Sequence, residues 1–314
     1  MDLPHDVCLE IFSYLPTYPL TQFRVVSKAT VEYAKVFKGS TMRIRSLMKW
    51  RACFPRATQA NISGIQLCMN DLKYLDNVKD LDMSFCCPYV EMIRRFQISI
   101  KWFHLPGLKK LTIMCNEHMT DEWLSQFTEL EDLCIGHSRE ITGSGFRNMN
   151  LKRLTLNSMR RITDEALNGL PVEDLTIISN SRITDAGILS MPKLTKLYLC
   201  WMKRIKCHGF EALPLKQIFV SDLEVDYPVF RSFAHVPKIA LSQCHFLDSG
   251  YERWTQLRRL DVYDSSFEEI DDLAKLVDLP HFVQVTLTHC HPVSKPLQEK
   301  LGAKLTVVLR EKWP

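Results

Sequence analysis

Leu151-Lys152-Arg153-Leu154-Thr155-Leu156, Val172-Glu173-Asp174-Leu175-Thr176-Ile177 and Leu194-Thr195-Lys196-Leu197-Tyr198-Leu199 are one pattern written three times. Apolar residues hold the first, fourth and sixth places. The pattern extends back to Leu130/Leu133/Ile135 and Leu108/Leu111/Ile113. It runs forward to Leu215/Ile218/Val220, Val236/Ile239/Leu241 and Leu257/Leu260/Val262. Successive starts lie 22, 21, 21, 22, 21, 21 and 21 residues apart. A phase held this tightly means a solenoid, in which each unit buries its apolar face only against its neighbours. Solenoids expose a long surface suited to other macromolecules, so binding is the first function class to weigh.

Composition narrows the partners. The 314 residues carry a net charge of +4, and 24% of them are charged. No basic run marks a nucleic-acid or polybasic membrane surface. Arg160-Arg161 and Arg258-Arg259 are only pairs and read as solvated strand or loop ends. No stretch approaches the ~18 apolar residues of a membrane span. Met1-Asp2-Leu3-Pro4 lacks a basic region before an apolar run, and the final residues carry no prenylation cysteine. The 11 cysteines are odd in number and lack CxxC spacing. Free thiols in the cytosol or nucleus are the expectation, with neither a nucleic-acid nor a membrane partner.

Eight residues into each unit stands a second signal. Asn70, Cys86, Asn116, Asn180, Cys244 and Cys290 fall there, with Ser138, Ser265, Met159, Met202 or Leu223 in other units. A buried polar side chain at this place can satisfy loop backbone groups that stacking leaves unpaired. Helix starts follow in Met119-Thr120-Asp121, Ile141-Thr142-Gly143, Ile162-Thr163-Asp164 and Ile183-Thr184-Asp185, where Thr or Asp caps the first turn. The ladder and the Ile-Thr-Asp starts together resemble the cysteine-containing class of leucine-rich repeats. The resemblance implies a curved α/β solenoid with a parallel concave sheet and short convex helices. A unit of ~21 residues leaves room for about two helical turns. Weaker units are expected at Ile62/Ile65/Leu67, Val78/Leu81/Met83 and Phe282/Val285/Leu287, with Leu305 and Val307 closing the array. Residues 84–107, with Phe96, Trp102 and Phe103, read as a longer convex helix.

The first forty residues follow another rule. Leu3-Pro4 precedes a helix with Val7, Ile11 and Phe12 on one face, then Leu15-Pro16, Leu20 and Val26-Ser27-Lys28. This set resembles an F-box. By that resemblance Leu3, Pro4, Val7, Ile11, Phe12, Leu15, Pro16, Leu20 and Val26 would bind a Skp-type adaptor, and through it a cullin–RING ligase. A segment of ~40 residues sits at the limit for burying its own core, so its apolar faces call for a partner; packing on the first repeat as a cap is the alternative. The expected organisation is an F-box over 1–40, a helical link over 41–60 and repeats with a C-terminal cap over 61–314. Ile44, Leu47, Met48, Trp50 and Phe54 would make the link a packed joint.

Nothing in the chain reads as an active site. His289-Cys290-His291 and Cys244-His245 contain ladder cysteines, Cys207-His208 lacks an orienting acid, and no Gly-rich phosphate cradle occurs. No metal or other cofactor is expected. Between the apolar positions, Lys109-Lys110, Glu131-Asp132, Lys152-Arg153 and Glu173-Asp174 alternate in sign and should form neutralising cross-strand ladders. Beyond Lys196 the alternation stops. Tyr198, Trp201, Phe219, Lys238, Arg258 and Tyr263 are then the expected substrate-binding set, on the concave face, for an acidic or phosphorylated segment of a target protein. The functional expectation is a non-catalytic substrate receptor of an SCF-type ubiquitin ligase. A repeat scaffold without a ubiquitin role is the alternative, and an enzyme using Cys207 and His208 a remote third.

Overall fold

The structure is a computed structural model that describes residues 47–63, 73–84, 105–115, 119–290 and 293–308. The expected F-box with all nine adaptor-binding candidates lies outside these residues. So do Ile44, Ile65, Leu67, Asn70, Cys86, Asn116, His291 and the insert's Phe96, Trp102 and Phe103. The chain divides into two compact units, Met1–Leu151 and Lys152–Pro314.

The first unit begins its described part with helix α1 (Leu47–Cys53). Four parallel strands follow in chain order: β1 (Gln59–Asn61), β2 (Asp80–Asp82), β3 (Lys110–Met114) and β4 (Asp132–Gly136). Alternation sends Leu111, Ile113, Leu133 and Ile135 wholly into the core. Leu47, Trp50 and Phe54 are buried too, whereas Met48 is exposed. Arg51 fastens α1 to the first repeats. Its guanidinium donates to the carbonyls of Tyr74 and Asp76 at 2.7 Å each, and to those of Pro55 at 3.0 Å and Ala57 at 3.1 Å. One repeat frame differs from expectation. β1 sets Ala60 opposite Leu81, so the first unit reads Ala57/Ala60/Ile62 rather than Ile62/Ile65/Leu67. Alanines take the places that leucines hold elsewhere, and strand pairing, not the leucine pattern, reveals the frame.

In the second unit, β5 (Arg153–Asn157), β6 (Asp174–Ile178), β7 (Lys196–Cys200) and β8 (Gln217–Ser221) lie side by side. All pairing is parallel, and helices α3 (Asp164–Leu167) and α4 (Asp185–Leu189) lead back between strands, as α2 (Asp121–Leu124) does in the first unit. These helices have 4 or 5 residues, about one turn rather than two. A strand of five residues, a turn and a return leg use up the rest of the unit. After β8 the return path changes character. Two-residue strands β9 (Glu224–Val225), β11 (His245–Phe246) and β13 (Ser266–Phe267) pair into a second small parallel sheet. It alternates with β10 (Lys238–Ser242), β12 (Arg259–Tyr263) and β14 (Gln284–Thr288) of the main sheet, and between the α-helices α5 (Tyr227–Ser232) and α6 (Lys295–Leu301) the return legs are 3-10 helices at Tyr251–Arg253 and Ile270–Asp278. Phe230 packs on Trp254 and Tyr251 at centroid distances of 4.8 and 5.1 Å, filling the core with aromatic area. The final strand β15 (Leu305–Val308) pairs with β14. It leaves Val307 and Val308 exposed, so among the described residues it extends the sheet rather than closing it.

Two ladders join the units' repeats, each within its own unit. At the first, buried Asn180 donates to the carbonyl of Met159 at 2.8 Å and accepts from the N–H groups of Arg182 (2.8 Å) and Ile183 (3.2 Å). Cys244 and Cys290 offer a weaker version, their thiols 3.3 and 3.5 Å from the carbonyls of Ser242 and Thr288. The second ladder runs through the Ile-Thr-Asp starts. Thr120 and Thr184 cap their own helices, donors coming from Trp123 and Ala186, while Thr163 makes no such bond. The aspartates instead reach forward. Asp121 accepts from the N–H groups of Thr142 and Gly143 at 2.9 Å, and Asp164 from that of Thr184 at 2.8 Å. Asp185 accepts from Lys206 and Cys207 at 3.1 and 3.0 Å.

Candidate functional site on the outward sheet face

Every second side chain of the main sheet points away from the core. In the second unit the register sets Asp174, Lys196, Gln217, Lys238 and Arg259 in one outward row. The next row holds Thr176, Tyr198, Phe219, Ala240 and Asp261. Tyr198 and Phe219 meet here as a cross-strand stack, ring centroids 4.1 Å apart and planes 4° from parallel. Such pairs add about 0.5–1.5 kcal/mol beyond buried area. Ala240 then drops the surface to a methyl group, so the stack stands as a raised aromatic platform.

The expected binding residues divide around it. Tyr198 and Phe219 come together, Lys238 lies in the adjoining row with no side-chain partner among the described residues, and Tyr263 sits half-buried in a third row beside Ser242 and Thr288. Two do not belong to this face. Trp201 follows β7 rather than lying on it, in a left-handed turn (φ 54°), and is 57% exposed. Arg258 precedes β12, and its carbonyl accepts from Val283 and Gln284 at 2.9 and 3.1 Å. Its neighbour Arg259 opens β12 and does lie on the face. Arg259 is paired, its Nε 2.7 Å from Oδ2 of Asp261, a neighbour two residues along the same strand. In the first unit the charge alternation produces the expected ion pair of Lys109 with Glu131 at 3.4 Å; Lys109 also meets Glu129 at 3.2 Å, and Lys110 meets Asp80 at 3.6 Å.

The cysteine–histidine candidates have structural surroundings. Cys207 is fully buried, and burial pushes its thiol well above the ordinary value, away from the nucleophilic thiolate. The neighbouring His208 faces Asp226 at 3.7 Å. Burial likewise raises the Cys244 thiol to about 11. Among the described residues no three His, Cys, Asp or Glu side chains gather as metal ligands, and no helix is long and apolar enough to cross a membrane.

Residues 1–31 match the family model of the F-box domain. In fold, the chain is similar to an internalin (InlF) of Listeria monocytogenes, with a TM-score of 0.58 and 16% identity over 91% of this chain and 84% of that one. It is also similar to a leucine-rich-repeat protein of Leptospira interrogans, with a TM-score of 0.54 and 17% identity over 86% and 76%. The chain carries an F-box ahead of leucine-rich repeats. No curated protein matches the sequence. At these identities the solved structures bear on the repeat fold alone. The F-box match suggests an adaptor of the Skp type, and the repeat fold suggests protein interaction.

Proposed function

We propose that this F-box/leucine-rich-repeat protein is the substrate-recognition subunit of an SCF-type ubiquitin ligase, acting in the cytosol or nucleus. The observation that carries the reading is the F-box match at residues 1–31, placed ahead of repeats whose outward face bears an exposed aromatic platform. Leu3, Pro4, Val7, Ile11, Phe12, Leu15, Pro16, Leu20 and Val26 would contact the adaptor. The platform of Tyr198 and Phe219, with Lys238 and Tyr263 near it, would hold a target protein. The receptor does no bond chemistry. It raises the effective concentration of target lysines near the ubiquitin-carrying enzyme, which converts an encounter between molecules into one within a complex.

Co-expression with a Skp-type adaptor tests this directly. Co-purification that Leu3→Ala/Pro4→Ala removes is the expected result. A soluble chain that ignores the adaptor would overturn the reading and leave a repeat scaffold without a ubiquitin role.

A further inference from the structure

Three consecutive loops of the second unit, those after β5, β6 and β7, enclose an open cavity of about 510 Å³. Its walls carry Arg160, Arg182, Lys203, Trp201, Ser179 and Ser181, together with the ladder residue Asn180. Among the described residues no carboxylate lines it, and none of the three cationic side chains has a partner. Three unpartnered cations side by side repel one another, so the arrangement favours an anionic occupant. The walls are already ordered. Asn180 uses its side chain to hold the Arg182 loop, and the N–H of Trp201 donates to Ser221 Oγ at 3.1 Å.

The geometry points to a docking site for an acidic peptide segment of a partner protein, with Arg160, Arg182 and Lys203 pairing its carboxylates and Trp201 covering an adjoining apolar side chain. The partner rests on the receptor reading above. Spacing selects the ligand. Strands lie ~4.8 Å apart, so the first and third loops are separated by about 10 Å. Alternate residues of an extended peptide present their side chains ~6.6 Å apart on one side. Two carboxylates at alternate positions fit within the spread of cations, whereas a single phosphate would engage only part of it. Arg160 and Arg182 supply planar forks suited to carboxylates, and the serine hydroxyls add donors. A single-stranded nucleic acid needs a longer basic track, about 4 nucleotides or more. On the side of β8 the basic run stops, because the next loop carries Asp222 and Leu223.

The test uses the full chain co-expressed with a Skp-type adaptor. Fluorescence anisotropy follows a labelled peptide of alternating glutamate and serine ending in leucine. It is compared with the glutamine counterpart, a peptide with one phosphothreonine in place of all glutamates, and a thymidine oligonucleotide. The glutamate peptide should bind at least about tenfold more tightly than each of the others. Arg160→Ala/Arg182→Ala/Lys203→Ala should remove a similar factor, Trp201→Ala a smaller one, and Lys300→Ala none. Equal binding of the glutamate and glutamine peptides by the unaltered protein overturns the inference, whatever the variants do. Preference for the phosphothreonine peptide or the oligonucleotide does so too, as does binding that survives the triple change. Adaptor retention is scored in the same samples. Retention without glutamate-peptide binding refutes this site alone, and peptide binding without adaptor refutes the receptor reading alone.

Discussion

Asn180 shows what one side chain does in a stack of loops. It serves Met159 behind it and Arg182 and Ile183 ahead; the bonds to Met159 and Ile183 are buried and the one to Arg182 partly so. Asn180→Ala should cost about 3 kcal/mol in urea unfolding, because the loop groups stay buried without partners. Asn180→Cys should recover part of this, since Cys244 and Cys290 perform a similar task with weaker sulfur bonds. Gly145 answers a different constraint. A Cβ there would lie 2.6 Å from the backbone oxygen of Asp121, which cannot swing aside. Gly145→Ala should therefore destabilise the first unit by about 1–3 kcal/mol, read from its thermal melt. Asp121 itself links stability to pH. Burial disfavours its charged form, but hydrogen bonds from Thr142, Gly143 and Gly145 outweigh this and hold the carboxyl below its ordinary value. Its contribution is thus complete above the ordinary carboxylate range and lost as pH falls through the lowered value. Unfolding measured as pH falls from neutrality through and below the ordinary carboxylate range should show that loss, and Asp121→Asn should flatten it.

Elements divide into those set by local pattern and those set by neighbours. The five-residue strands follow from period-two alternation, and each of β5 to β8 is followed at once by a residue with positive φ: Ser158, Ser179, Trp201 and Asp222. None is glycine, so the sequence does not announce this turn. The left-handed conformation costs about 1–2 kcal/mol per residue. It is offset because N–H groups such as those of Ser158 and Ser179 still reach the last carbonyl of the next strand, at 2.8 and 2.9 Å. Helix α1 depends on Arg51 more than on propensity. Arg51→Met should loosen it by about 2–3 kcal/mol through unpaired carbonyls, seen as faster hydrogen exchange over 47–57. The platform makes the opposite prediction. Tyr198 and Phe219 stand on the sheet without supporting its core, so Tyr198→Ala/Phe219→Ala should abolish target capture and leave the melting temperature within a few degrees. Unchanged capture would remove the platform from the binding surface.

For the whole molecule, the receptor reading predicts two separable tasks. Leu3→Ala/Pro4→Ala should lose the adaptor yet keep the target, and the platform change should do the reverse, both scored by co-purification. The period of 21 to 22 residues, the leucine-rich-repeat fold and the F-box motif were legible in the sequence, because each follows from residue type at a fixed spacing. The first strand escaped because alanines replace its leucines, and the small second sheet escaped because two-residue strands have no periodicity to detect. Site residues were legible only in part. Spacing placed Tyr198 and Phe219 on adjacent strands, but Trp201 turned off its strand and Asp261 neutralised Arg259. Arg160, read alone as a solvated loop end, acquires a setting only when Arg182 and Lys203 stand around the same cavity. Sequence by itself determined what repeats and which residues are apolar, since burial is a property of each side chain's contact with water. Tertiary structure alone decided which polar groups are paired and which converge, since both depend on distances between residues about 20 positions apart, set by stacking rather than by chain connectivity.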